Sequence, residues 1–178
     1  MTYRFIPCRT DSELERYSMF MLEHRYEIHS AFTAQRILHF FKEQFFHGQT
    51  FLVENDRGEV VAAAGYVNGT PENDFVDRET VRLEMVYIAP SYRRTRLFYH
   101  GIVWLADYMK QHAPFVNQIQ FYAESEPEGR SRLFGKLADF IVTEPTKFGL
   151  EDEFLTSVER LLQGIPQRVL KGGDQNVQ

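Results

Sequence analysis

Two stretches of this sequence carry residues that could do chemistry. The first is Glu84, inside the run Thr80–Ile88, which is otherwise rich in β-forming side chains. A carboxyl among such neighbours needs a reason, because glutamate is almost never fully buried without a partner or a task. It could act as a general base, pair with Arg82 or Arg93, or stand at a sheet rim. The second stretch is Arg93-Arg94-Thr95-Arg96, placed after Ala89-Pro90 breaks the strand and just before a helical pattern over Phe98–His112. A helix start offers unpaired N–H groups and the positive end of a dipole. Guanidinium groups bind phosphate oxygens in pairs. The turn is therefore a candidate anion site, with a solvated basic turn as the plain alternative.

Other reactive groups are less informative. The single cysteine, Cys8, excludes an intrachain disulfide and a cysteine-based zinc cluster, and reads as a small residue after the first strand. The six histidines show no ligand spacing, so no metal is expected, and several should sit on helix surfaces or ends. There is no nucleophile elbow and no P-loop. The acidic loop Glu124-Ser125-Glu126-Pro127-Glu128 would favour a cationic amine if turned inward, or is simply solvated.

These residues need a scaffold, and 178 residues suit one domain with enough apolar surface to fold without staples. Residues 1–165 are expected to form that domain and 166–178 a flexible tail. A net charge of −5 is a poor basis for holding nucleic acid by bulk phosphate neutralisation. No signal peptide and no membrane-length apolar run is evident, so the expected location is cytoplasmic. The 16 Phe and 9 Tyr predict an aromatic-rich core with an apolar face to spare, which leaves a homodimer open.

Along the chain, Tyr3–Pro7 reads as a strand, and Asp11 as the cap of a helix through Leu14, Tyr17, Met21 and Leu22. Thr33 caps a second helix whose apolar side is Ile37, Leu38, Phe40, Phe41, Phe45 and Phe46, ending at Gly48. Thr50–Glu54 and Glu59–Asn68 form a hairpin around Asn55-Asp56-Arg57-Gly58. After the loop 69–79 come strand Thr80–Ile88, the helix to His112, and strand Val116–Ala123. A short helix Ser131–Leu137, strand Phe140–Thr143, strand Phe148–Ser157 and a helical piece Val158–Gln163 follow. The order β-α-α-β-β-β-α-β-α-β-β predicts an α/β protein (α+β, mixed sheet) with helices on the sheet faces. By alternation Glu84, Val86 and Ile88 share one face, and Leu83, Met85 and Tyr87 the other.

This order, with Asp56-Arg57-Gly58-Glu59-Val60-Val61-Ala62 and Leu83-Glu84-Met85-Val86-Tyr87-Ile88-Ala89-Pro90-Ser91-Tyr92-Arg93, resembles the GNAT superfamily of N-acyltransferases. The resemblance implies a GNAT-like acyl-CoA N-acyltransferase fold. It also implies acetyl-CoA, or another acyl-CoA, as co-substrate and no metal. The pantetheine arm would lie beside the fourth strand at Val86, Tyr87 and Ile88. The pyrophosphate would sit on Arg93, Arg94, Thr95, Arg96, Leu97 and Phe98. In the family's loop pattern, Arg96 stands where Gly is usual and Phe98 where Gly or Ala is usual, so side-chain charge would replace close backbone approach. The stretch at Glu124 lacks the usual Asn. Leu133-Phe134-Gly135-Lys136-Leu137-Ala138 has Phe134 where relatives often carry a Tyr that protonates the leaving thiolate; Tyr122 is the nearby substitute.

Acyl transfer to an amine needs a base, an oxyanion donor and an acid. The resemblance casts Glu84 as base, a backbone N–H of Tyr87 or Val86 as oxyanion donor, and Tyr122 as acid. The expected activity is acetyl transfer to a primary amine of a small molecule or protein. Two alternatives stay open: a catalytically inactive GNAT-fold binding or inhibitor protein, and an acyltransferase with an unusual donor or a nucleobase acceptor.

Overall fold

The computed structural model describes residues 2–125 and 134–164. The chain begins with strand β1 (Arg4–Pro7) and helix α1 (Asp11–Glu23). Thr10, rather than Asp11, caps α1: its side chain accepts from the Glu13 N–H while Glu13 reaches back to the Thr10 N–H. A short helix α2 (Arg25–Ile28) precedes α3 (Ala34–His47), which Thr33 caps and Gly48 ends. The hairpin is β2 (Gly48–Glu54) and β3 (Val60–Asn68), and β4 (Thr80–Ile88) follows a loop containing a 3-10 turn at Pro71–Asn73. Then come α4 (Leu97–His112), β5 (Gln118–Glu124), β6 (Asp139–Thr146), β7 (Gly149–Thr156) and α5 (Val158–Gly164). Strand β6 runs three residues beyond the expected Thr143, because pairing with β7 continues through Pro145 to Thr146. Of the expected helix 131–137, residues 131–133 lie outside the described residues and 134–137 form a turn, with the Leu137 N–H bonded to the Phe134 carbonyl; the expected tail 166–178 lies wholly outside them.

The seven strands form one mixed sheet in the order β1-β2-β3-β4-β5-β7-β6, with β4 and β5 parallel and the other neighbours antiparallel. Side chains alternate along β2, so Phe51 packs with α4 while Leu52 packs with α1 and α3. The result is three layers, with α4 and α5 on one face and α1 and α3 on the other. The aromatic side of α3 is narrower than its pattern predicts. Ile37, Phe40, Phe41 and the polar Gln44 are buried, whereas Leu38, Phe45 and Phe46 are exposed.

Gln44 is buried because it has a partner: the Tyr17 hydroxyl donates to its Oε1 at 2.8 Å, and both side chains are wholly enclosed. They rest directly on Gly65 of β3. A Cβ there would sit 2.5 Å from Gln44 Nε2 and 2.7 Å from the Tyr17 hydroxyl. Gly65→Ala is therefore expected to break this pair and destabilise the protein by about 2–3 kcal/mol. Urea denaturation should show a lower midpoint at unchanged slope.

Candidate active site

The site begins with an irregularity in β4. Gly65 of β3 faces Met85, but its neighbour Tyr66 faces Leu83, so Glu84 is one residue too many on the β4 side. A bulge of this kind reverses the alternation of the strand. Val81 and Leu83 pack under α4, while Met85 and Tyr87 pack under α1 and α3. Ile88 returns to the α4 side against Leu97. The simple alternation expected from sequence therefore fails at Glu84, since one extra residue shifts every side chain after it.

The bulge also ends the pairing with β5. The two parallel strands are joined only from Thr80–Gln118 to Leu83–Phe121, and beyond that point they diverge. A cavity of about 890 Å³ occupies the gap and reaches both faces of the sheet. Leu97, Phe98 and Ile102 of α4 line it on one side, and Phe40 and Glu43 of α3 on the other. Between them lie Glu84–Ile88 of β4 and Phe121–Glu124 of β5.

The free edge of β4 has a defined direction. The Ala89 N–H bonds to the Val61 carbonyl, so Val61 and Ala89 form a hydrogen-bonded antiparallel pair. By the two-residue repeat Tyr87 and Met85 also point their backbone groups at β3, and Val86 and Ile88 turn theirs to the gap. Of the two backbone donors considered from sequence, Val86 faces the cavity and Tyr87 does not. The Tyr87 side chain lies under α1 and α2 instead. Its hydroxyl donates to Glu27 Oε2 at 2.8 Å, and its ring stacks on His24 at 4.6 Å.

Glu84 lines the cavity with its Oε1 fully buried and without a hydrogen-bond partner among the described residues. The sequence offered Arg82 and Arg93 as partners, but neither bonds it. Arg82 pairs with Glu72 and donates to Gln120 at 2.9 Å, and Arg93 reaches Glu27 at 3.4 Å. Burial pushes the Glu84 carboxyl from its usual 4.5 up to about 7; the charge of Arg82 opposes the rise, and Glu43 and Glu72 add to it. Tyr122 also lines the cavity, below a guanidinium–ring contact with Arg82 at 5.3 Å, and burial raises its hydroxyl to about 12. Phe134 is fixed between Phe121 and Phe154, with ring centroids 5.2 and 5.4 Å away.

The basic turn is arranged differently from a row of free arginines. Arg93 folds back, donating from Nε to the Ile88 carbonyl at 2.8 Å, and its guanidinium covers the Tyr87 ring. Arg94 takes a left-handed φ of 65°, and it and Arg96 are exposed. Thr95 Oγ1 accepts from the Leu97 N–H, satisfying one donor at the start of α4. Leu97 is buried in the core, and Phe98 faces the cavity. Among the described residues no group of three or more His, Cys, Asp or Glu is placed to hold a metal ion. None of the described helices is long and apolar enough to cross a membrane.

The amino-acid sequence matches the model of the Acetyltransferase (GNAT) family over residues 14–127, from within α1 past the end of β5. The chain belongs to the GNAT acetyltransferase family. No curated protein matches it. Among solved structures, ribosomal-protein-S18-alanine N-acetyltransferase from Escherichia coli superposes with a TM-score of 0.62 at 16% identity, covering 88% of this chain and 94% of its own. Spermidine N-acetyltransferase from Vibrio cholerae, solved with CoA and spermine, gives 0.64 at 8% identity over 90% and 98%. An aminoglycoside acetyltransferase in complex with coenzyme A and kanamycin gives 0.65 at 13% identity over 91% and 98%. At these identities the likeness is one of fold.

The raised pKa of Glu84 has a measurable consequence in this GNAT protein. A carboxyl that keeps its proton longer in the folded state contributes full stability below about pH 4.5, and loses it as pH rises through about 7. Glu84→Gln removes the ionisation. It is expected to gain on the native protein between pH 4.5 and 7, by up to about 3 kcal/mol, in urea denaturation at several pH values. A difference that does not vary with pH would refute the burial of the ionised form.

Proposed function

We propose that the protein is an acyl-CoA-dependent N-acyltransferase, most simply an acetyltransferase acting on a primary amine by direct attack on the thioester. The observation that carries the reading is the gap between β4 and β5, with the Glu84 carboxyl buried on its wall. The open edge of β4 fits an extended amide-bearing arm, since Val86 and Ile88 present backbone groups as a neighbouring strand would. The start of α4, flanked by Arg94 and Arg96, supplies positive potential for phosphate oxygens. Bound acyl-CoA would supply the activated thioester carbonyl that the amine attacks.

The residues then have distinct tasks. Glu84, with a pKa of about 7, takes a proton from the ammonium form of the acceptor near neutral pH. The Val86 N–H is turned to the gap and would stabilise charge on the carbonyl oxygen as the N–C bond forms. Tyr122 would return a proton to the thiolate as the C–S bond breaks. The acceptor side favours a cationic amine, because Glu27, Glu43, Glu144 and Glu151 line the cavity there.

A second reading, a binding protein that has lost acetyl-CoA, draws on the basic turn: Phe98 fills the position of closest approach and Arg93 is already engaged. The two readings part on one titration. If acetyl-CoA binds, saturation at 100 times Kd should raise stability by about 2.7 kcal/mol. Neither a shift in thermal denaturation nor heat in calorimetry would favour the second reading. If it binds, kcat/KM should rise with pH through about 7. Glu84→Gln should lower kcat by about 10²–10⁴-fold with acetyl-CoA affinity unchanged.

A further inference from the structure

The wall of the cavity under α2 and α3 carries a second buried group in need of a partner. His29 follows α2, is only 8% exposed, and lines the cavity. The Ala31 N–H donates to His29 Nδ1 at 3.1 Å. A ring nitrogen that accepts a hydrogen bond carries no proton, so in the neutral ring the proton resides on Nε2. Nε2 is fully buried and has no partner among the described residues. A donor left bare in this way is rare in folded proteins and points to a group supplied from outside the chain.

The ring is held firmly. Phe32 stacks on it at 5.0 Å and Phe148 lies at 5.7 Å. Phe40 completes the group, at 5.3 Å from Phe32 and 6.0 Å from Phe148. This aromatic box adjoins Glu84 through two neighbours. Glu43 lies one helical turn from Phe40, Lys147 precedes Phe148, and the charges of both reach the Glu84 carboxyl.

We propose that His29 is a specificity residue of the acceptor site, donating from Nε2–H to a neutral oxygen of the amine substrate whose apolar part fills the Phe32–Phe40–Phe148 box. This rests on the acyltransferase reading for the amine's fate, but not for its binding. The oxygen is an amide carbonyl or a hydroxyl rather than a carboxylate, because the carboxyls Glu43, Glu84, Glu144 and Glu151 line the same cavity and outnumber the cations at the box, Lys147 and Arg36 over the Phe148 ring. The substrate class is therefore an apolar amino amide or amino alcohol.

The test uses four primary amines that share the 3-methylbutylamine unit: leucinamide, leucinol, leucine and 3-methylbutylamine itself, which lacks the oxygen-bearing carbon. Binding to the full chain is followed by calorimetry and by the His29 ring ¹⁵N and ¹H shifts, and turnover by kcat/KM with acetyl-CoA. The native protein should prefer leucinamide or leucinol to 3-methylbutylamine by about 10–100-fold, and leucine should be the weakest. Nε2 should shift only with the oxygen-bearing ligands. His29→Asn keeps an acceptor for the Ala31 N–H and removes the donor at Nε2, so it should erase the preference while retaining 3-methylbutylamine binding. His29→Gln places an amide N–H near the Nε2 position and should restore part of the preference. A stronger response to leucinamide identifies a carbonyl and to leucinol a hydroxyl. Equal binding of all four amines, or a preference that survives in His29→Asn, overturns the proposal. Selective binding with no turnover upholds it and sinks the acyltransferase reading alone. If His29→Asn does not fold, the native Nε2 shifts decide.

Discussion

The site depends on one extra residue in β4. Placing Glu84 between the partners of Tyr66 and Gly65 shifts the strand by one position, and three consequences follow together. Side chains after Glu84 exchange faces, so Met85 and Tyr87 join the core under α1 and α3. The strand bends away from β5, which opens the sheet without exposing either strand's far edge. Glu84 itself is left at the point of divergence, buried on its sides and open to the cavity.

The charges around the cavity are divided by the same opening. The α4 side carries Arg93, Arg94 and Arg96 at a helix start, and the opposite side carries most of the carboxylates. Arg93 stands between them. By bonding the Ile88 carbonyl it removes one acceptor from the free edge of β4, and by reaching Glu27 it joins α2 to the end of β4. If the loop holds the phosphates of an acyl-CoA, as the proposed function requires, the affinity for them would rest more heavily on Arg94, Arg96 and the first N–H groups of α4. Guanidinium groups can supply that affinity through side-chain bonds where a bulkier loop keeps the backbone at a distance.

Local sequence carried the fold well where local chemistry decides it. Strand β4 was legible to the residue, because β-branched side chains run from Thr80 and Pro90 stops them. The Thr33 cap and the Gly48 end of α3 were legible for the same kind of reason. The bulge was not read, although its one local signal is Gly65, an interior strand glycine that stands at the register shift. The apolar stripe of α3 was read too widely: by helix geometry Leu38 and Phe45 flank the buried stripe of Ile37, Phe40, Phe41 and Gln44, Phe46 lies on the opposite side, and all three are exposed. His29 was not singled out among the six histidines. Its burial and its tautomer come from Phe32, Phe148 and a loop N–H, which are contacts of tertiary structure.

Buried polar atoms without partners separate the demands of folding from those of the site. Gln44, Arg25, Thr50 and Asn68 each leave one such atom, and none of these residues lines the cavity. In Gln44 and Asn68 the other polar atom of the amide is bonded, so only part of each group's capacity is lost. Glu84 and His29 differ because their bare atoms belong to side chains that border a space large enough for a ligand. Each such atom costs about 1–3 kcal/mol in a folded protein. Elsewhere in the core, apolar substitution could remove that cost. In the acyltransferase reading the two groups would be complementary: Glu84 would take a proton from the amine, and His29 would offer it a hydrogen bond from Nε2. A substrate that satisfied both would return what the fold gives up, and an amine lacking the oxygen would satisfy only one. That difference is a physical basis for selecting among amines that positive charge alone cannot tell apart.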